Sequence, residues 1–146
     1  MKKDLFSLNG KVVVITGAAG LLGCQHADAV ASFGGSPVLL DLDKVLLEDQ
    51  AIELNAKYGV DAVSYVVDIT SEKEGEQNCK DVVGRYGKID ALVNNAANNP
   101  KIENSDTKNF SRLENFPLEL WHSDLEVGLT GAFLCAKHYG EALSKN

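Results

Sequence analysis

The chain has 146 residues, 45% hydrophobic and 24% charged, with a formal net charge of −7, which suits one globular domain spanning residues 1–146. The acidic balance, with no basic run beyond Lys2-Lys3, argues against nucleic acid or an anionic membrane as the main partner. No apolar stretch reaches the roughly 18 residues that span a bilayer, and MKKDLFSLNGK lacks a signal-peptide core, so a cytoplasmic location is expected.

In chain order, KVVVIT (11–16) is a β-branched run that predicts a strand buried on both faces. A glycine-rich turn follows, then helical spacing over 21–33 with Leu22, Ala27, Val30 and Ala31 on its apolar face. Gly34-Gly35 supplies the stop. PVLLDLD (37–43) is a second strand, and 46–58 a second helix ended by Gly59. AVSYVVDIT (62–70) is a third strand. Ser71 is expected to cap the next helix, with Glu74 three residues on as in a capping box; that helix stops at Gly87. IDALVNN (89–95) is a fourth strand. The polar stretch 98–117 carries two prolines and reads as one long loop. A last helix spans about 118–143, with Leu125, Leu129, Ala132, Phe133 and Ala136 on one side and Trp121 anchoring it against the sheet.

Strands and helices that alternate every 25 to 30 residues or so predict an α/β fold, a doubly wound parallel sheet covered on both sides. Right-handed crossovers leave the strand order 3-2-1-4, as in the first half of a dinucleotide-binding domain.

The turn carries Gly17, Gly20 and Gly23 directly after a buried strand and at the start of a helix. In that setting Gly17 permits a sharp exit, Gly20 lets a diphosphate approach the backbone, and Gly23 lets the helix pack closely. The helix start adds free N–H groups and a positive dipole end. Asp41 closes the second strand 18 residues after Gly23, where a carboxylate accepts from an adenosine ribose and repels a 2′-phosphate. The expected cofactor is therefore NAD rather than NADP. Lys44 stands close by and leaves dual use open.

With these residues in place the chain resembles the short-chain dehydrogenase/reductase family. TGAAGLLG (16–23) is similar to the family's glycine motif, although Leu21 stands where its second glycine is usual. VVDIT (66–70) resembles the third-strand end, which implies that Asp68 contacts the adenine amino group. LVNNAAN (92–98) resembles the Asn-Asn-Ala-Gly motif with Ala97 for glycine, which implies that Asn94 steadies the sheet while Asn95 and Ala96 line the cofactor cleft. The resemblance thus implies a Rossmann-like fold with a cofactor set of Gly17, Gly20, Leu22, Asp41, Asp68, Asn95 and Ala96.

Two departures bear on chemistry. In DLEVGLTGAF (124–133), Gly128 stands where the family usually has an Asn that supports a water in the proton relay. The family's Ser and Tyr-x-x-x-Lys are absent: none of Tyr58, Tyr65, Tyr86 and Tyr139 has a lysine four residues on. A free tyrosine has a pKa near 10, so hydride transfer to a carbonyl lacks a tuned proton donor here. The expectation is a chain truncated before the later strands, with no catalytic residue of its own, that binds dinucleotide weakly and does not turn over. In the intact enzyme the substrate would be a secondary alcohol or ketone, and the polar 98–117 loop suggests a sugar derivative. The alternatives are a non-catalytic dinucleotide-binding module acting through a partner, and a remnant without function that aggregates through its sheet edge.

Cys24, Cys79 and Cys135 are odd in number and widely spaced, and the histidines His26, His122 and His138 do not pair with them at zinc spacing, so no metal site and reduced thiols are expected. The last helix could join two copies into a homo-oligomer, which the resemblance implies, although burial within the chain accounts for the same apolar stripe.

Overall fold

The structure, a computed structural model, describes residues 5–98 and 112–145. Four parallel strands form one sheet: β1 (Val12–Thr16), β2 (Ser36–Asp41), β3 (Val63–Val66) and β4 (Ala91–Val93), in the order β3-β2-β1-β4. This is the order expected from the alternation. Helices α1 (Leu21–Ser32), α2 (Lys44–Tyr58) and α3 (Glu72–Tyr86) connect the strands. After a short 3-10 turn at Leu113–Asn115 come α4 (Leu118–Leu125), a π-helical turn at Glu126–Gly131 and α5 (Ala132–Leu143). Most of the long loop expected at 98–117 lies outside the described residues.

Side chains that alternate along β1 build two cores. Val13 and Ile15 face α1 and α2, packing with Ala27, Val30, Ala31, Leu47 and Leu54. Val12 and Val14 face the other way, against Val82, Ile89, Cys135 and Tyr139 of the α3 and α5 side. All five β1 residues are buried, as a strand covered on both faces requires. Tyr139 is wholly buried and donates to Asn78 Oδ1 at 2.8 Å, so the phenol has the acceptor that its burial demands.

Several element ends differ from expectation. The third strand stops at Val66 rather than reaching Thr70, because Asp68 Oδ1 accepts from Thr70 N at 2.9 Å and turns the chain out of the sheet. The fourth strand keeps only Ala91–Val93. Ser71 caps α3 as expected, yet Glu74 reaches past it to the Asp68 N–H at 2.9 Å, since the Ser71 N–H already bonds the Asp68 carbonyl. Leu22 is not on the buried face of α1: it is 63% exposed, because the first turn of α1 opens on a cleft. Trp121 does not anchor the last helix on the sheet and is 52% exposed. The expected face of that helix (Leu125, Leu129, Phe133) is also turned outward, and Cys135 and Tyr139 do the packing.

The sheet end opposite the site is tied by Asp90, which accepts from Lys11 Nζ at 2.8 Å and from the Val12 N–H at 2.9 Å, with Lys88 also 2.9 Å away. Burial opposes its ionisation, but the hydrogen bonds from Lys11, Val12 and Lys88 outweigh that and hold its pKa at about 2. A carboxyl depressed in the folded state contributes stability above its unfolded pKa of about 3.9 and loses it as pH falls towards 2. Asp90→Asn is expected to cost about 1–2 kcal/mol at neutral pH, a difference that vanishes in acid; urea melts at several pH values measure it.

Candidate functional site

The turn after β1 shapes the site. Gly17 takes φ +64°, and a Cβ there would lie 2.8 Å from the Ala96 Cα, so only glycine leaves the strand at this angle while touching the end of β4. Gly20 caps α1 without a side-chain acceptor, and no acidic residue stands in the first turn. The opening N–H groups and the positive end of α1 are thus left for an anion. A Cβ on Gly23 would run into the Gly17 carbonyl oxygen, so the helix seats directly on the turn.

Above the carboxyl ends of the strands, where the order switches between β1 and β4, lies a cleft of about 500 Å³. The seven residues singled out in the sequence line this one cleft. Gly17, Gly20 and Leu22 form the turn side, Asp41 and Asp68 the ends of β2 and β3, and Asn95 and Ala96 the end of β4. Leu21 also lines it and is 85% exposed.

Asp41 is fixed by backbone donors. Its Oδ2 accepts from the Ala19 N–H at 3.0 Å, and its Oδ1 from Leu42 and Asp43 at 2.7 and 3.3 Å. The carboxylate is therefore tied to the glycine turn itself. Lys44, the one nearby cation noted in the sequence, leans towards Glu48 at 3.7 Å. Asp68 stands across the cleft with Oδ1 engaged by the Thr70 N–H and hydroxyl.

Thr16 is the main residue the sequence reading missed. It is 1% exposed, and its Oγ1 accepts from the Asn95 N–H at 3.0 Å and the Ala96 N–H at 3.1 Å. A hydroxyl at the end of a fully buried strand must find partners, which is the signal that was available. The roles of the two asparagines also differ from expectation. Asn95 Nδ2 donates to the Thr16 and Gly17 carbonyls at 2.9 and 3.1 Å and so joins β4 to the turn. Asn94 instead reaches the Ala132 carbonyl at 3.3 Å.

From the π-helical turn, Val127 lines the cleft, whereas Gly128 opens on a separate hollow beside Trp121 and Asp124. No tyrosine lines the cleft. Tyr58 donates to Asp28 at 2.8 Å, Tyr86 to the Asp61 carbonyl at 2.8 Å, and burial drives the Tyr139 phenol far above its ordinary range. Among the described residues no group of His, Cys, Asp and Glu could hold a metal, and no helix is long and apolar enough to cross a membrane. The cysteines are free, and burial pushes the Cys135 thiol up to about 11.

A parallel sheet in this order, with a glycine turn feeding an uncapped helix at the switch point, defines a Rossmann-like α/β protein. The short chain dehydrogenase family matches residues 11–146, and the chain belongs to that family. It is 34% identical over 148 residues to an NADP-dependent mannitol dehydrogenase of Hypocrea jecorina, covering 97% of this chain and 51% of that one. An NAD+-bound xylitol dehydrogenase superposes with a TM-score of 0.82 at 32% identity, over 94% of this chain and 50% of its own. The L-sorbose reductase of Gluconobacter frateurii, complexed with NADPH and L-sorbose, superposes with a TM-score of 0.77 at 26% identity, over 96% and 50%. The chain spans about half the length of these relatives.

Proposed function

We propose that residues 1–146 form the dinucleotide-binding half of an oxidoreductase that interconverts a secondary alcohol and a ketone, with a polyol or ketose as substrate. The observation that carries this reading is the single cleft that runs from the uncapped start of α1 to the carboxylate of Asp41. The N–H groups at Leu21 and Leu22 would hold the diphosphate. Asp41 would accept from the ribose hydroxyls, Asp68 would meet the adenine edge, and Asn95 and Ala96 would border the nicotinamide end. When bound, the nicotinamide supplies or accepts the hydride. The polyol named for each of two relatives supports the substrate class.

The cofactor in this reading is NAD. Two carboxylates, Asp41 and Asp68, line the cleft, and Lys44 is directed to Glu48, so a 2′-phosphate would meet negative charge without a partner. The relatives divide on this point, one being NAD+-bound and others NADP-dependent. Calorimetric titration is expected to show NAD binding at least tenfold tighter than NADP, with Asp41→Ser erasing most of the difference, as the loss of about 1–2 kcal/mol of charge-assisted bonding and repulsion implies. Equal affinity for the two cofactors would overturn the role given to Asp41.

A second reading is a dinucleotide-binding module without turnover, favoured by the engagement of Tyr58, Tyr86 and Tyr139 away from the cleft. Hydride transfer then needs a proton donor that these residues do not supply. Following NADH absorbance with xylitol separates the two, since the module binds cofactor and produces none. We further propose self-association at the α5 end of the last helix, where Phe133 is 62% exposed; sedimentation at several concentrations tests it.

A further inference from the structure

Beside the cleft lies a second hollow of about 530 Å³, walled by Phe116, Trp121, Leu125 and Leu129 and carrying one carboxylate, Asp124. It is open at Gly128, where a Cβ would meet nothing within 4 Å. One residue joins hollow and cleft: Asn98 lines the cleft, and its side-chain amide donates to Asp124 Oδ1 at 2.9 Å and to Ser123 Oγ at 3.0 Å. Both amide hydrogens of Asn98 are thereby used, and the carboxylate is held by one oxygen. Among the described residues, Asp124 Oδ2 takes no hydrogen bond.

An aromatic and aliphatic wall around one fixed carboxylate suits an aliphatic chain that bears several hydroxyls. The free oxygen can accept from adjacent hydroxyls, while the rings cover C–H edges and no positive charge is needed. A purely apolar occupant, including the apolar stripe of a second copy, would bury the Asp124 charge without a donor. We propose that this hollow is the subsite for the polyol or ketose, with Asp124 as the residue that selects a polyhydroxylated chain over a simple alcohol. The inference rests on the reading of the neighbouring cleft as a nicotinamide dinucleotide site.

Trp121 is the only tryptophan of the chain and reports directly on the hollow. Its emission is followed while the whole chain, with and without NAD, is titrated with xylitol and separately with cyclohexanol. Xylitol is expected to give a saturable change. Asp124→Asn keeps an acceptor for Asn98 but loses the charge, and is expected to weaken xylitol at least about tenfold while leaving the cyclohexanol response unchanged. Circular dichroism checks that the variant is folded. A wild-type chain without a saturable xylitol response overturns the inference, as does an Asp124→Asn variant that binds xylitol equally well. Emission that follows protein concentration instead of xylitol also overturns it and marks the face as a contact between copies. A parallel NAD titration separates the two readings: NAD binding without xylitol binding sinks the subsite alone, and an Asp124-dependent xylitol response without NAD binding sinks the cofactor reading alone.

Discussion

Gly23→Ala is expected to cost about 3 kcal/mol of stability and to lower dinucleotide affinity at least tenfold. The added methyl would collide with the Gly17 carbonyl oxygen and stand 2.7 Å from the Ala18 Cα, and both are backbone atoms that no rotamer change can move. Relief requires α1 to lift from the turn, which displaces the N–H groups offered to the anion. Helix propensity works the other way, favouring alanine by about 1 kcal/mol, so the steric term must exceed the net loss observed. Gly84→Ala in α3 provides the control, because a Cβ there meets nothing within 4 Å. That variant is expected to gain about 0.5–1 kcal/mol from helix propensity alone. Thermal melts of both, with calorimetric titration of NAD, check the pair, and a Gly23→Ala chain as stable as the parent would remove the steric account.

Thr16→Val should be nearly as damaging, although it changes neither shape nor volume much. The hydroxyl accepts from the Asn95 and Ala96 N–H groups, and its residue is 1% exposed. A methyl in its place leaves two N–H groups near the core without an acceptor, at about 1–2 kcal/mol each. The loss would not stop at stability, since Asn95 and Ala96 line the cleft. A combined cost of about 2–4 kcal/mol is expected, together with weaker NAD binding. Thr16→Ser, which restores the acceptor, should recover most of both. If Thr16→Val and Thr16→Ser behave alike in urea melts, lost packing rather than the hydroxyl is responsible.

The order of the sheet was legible because buried β-branched runs and helical spacings alternate so regularly, and a right-handed connection leaves little choice. The grouping of Gly17, Asp41, Asp68 and Asn95 was legible for a related reason: in a parallel sheet every strand delivers its carboxyl end to the same edge. Orientation within an element was harder. Leu22 shares the period of Ala27 and Val30, but a periodicity cannot distinguish a helix face set on a core from a helix start set on an open cleft. Asn94 and Asn95 are adjacent amides, and only the backbone direction after Val93 decides which reaches Thr16. Trp121, Leu125, Leu129 and Phe133 form an apolar stripe that sequence alone assigns to the core, whereas the close seat of Gly131 on Ile69 brings a different side of the helix inward. The wide turn at Glu126–Gly131 had no sequence marker beyond its two glycines.

That wide turn has a consequence for how this helix tolerates change in length. A π-helical turn holds about one residue more than the α-helical turn it replaces. Shortening 126–131 by a single residue would let the rod regularise, and everything on its carboxyl side would swing by about a third of a revolution relative to α4. Cys135 and Tyr139 could then stay against Val82 and Ile89 only if Val127 withdrew from the cleft. The segment works as a slack loop of thread between two seams, keeping the seated half and the cleft-facing half in phase.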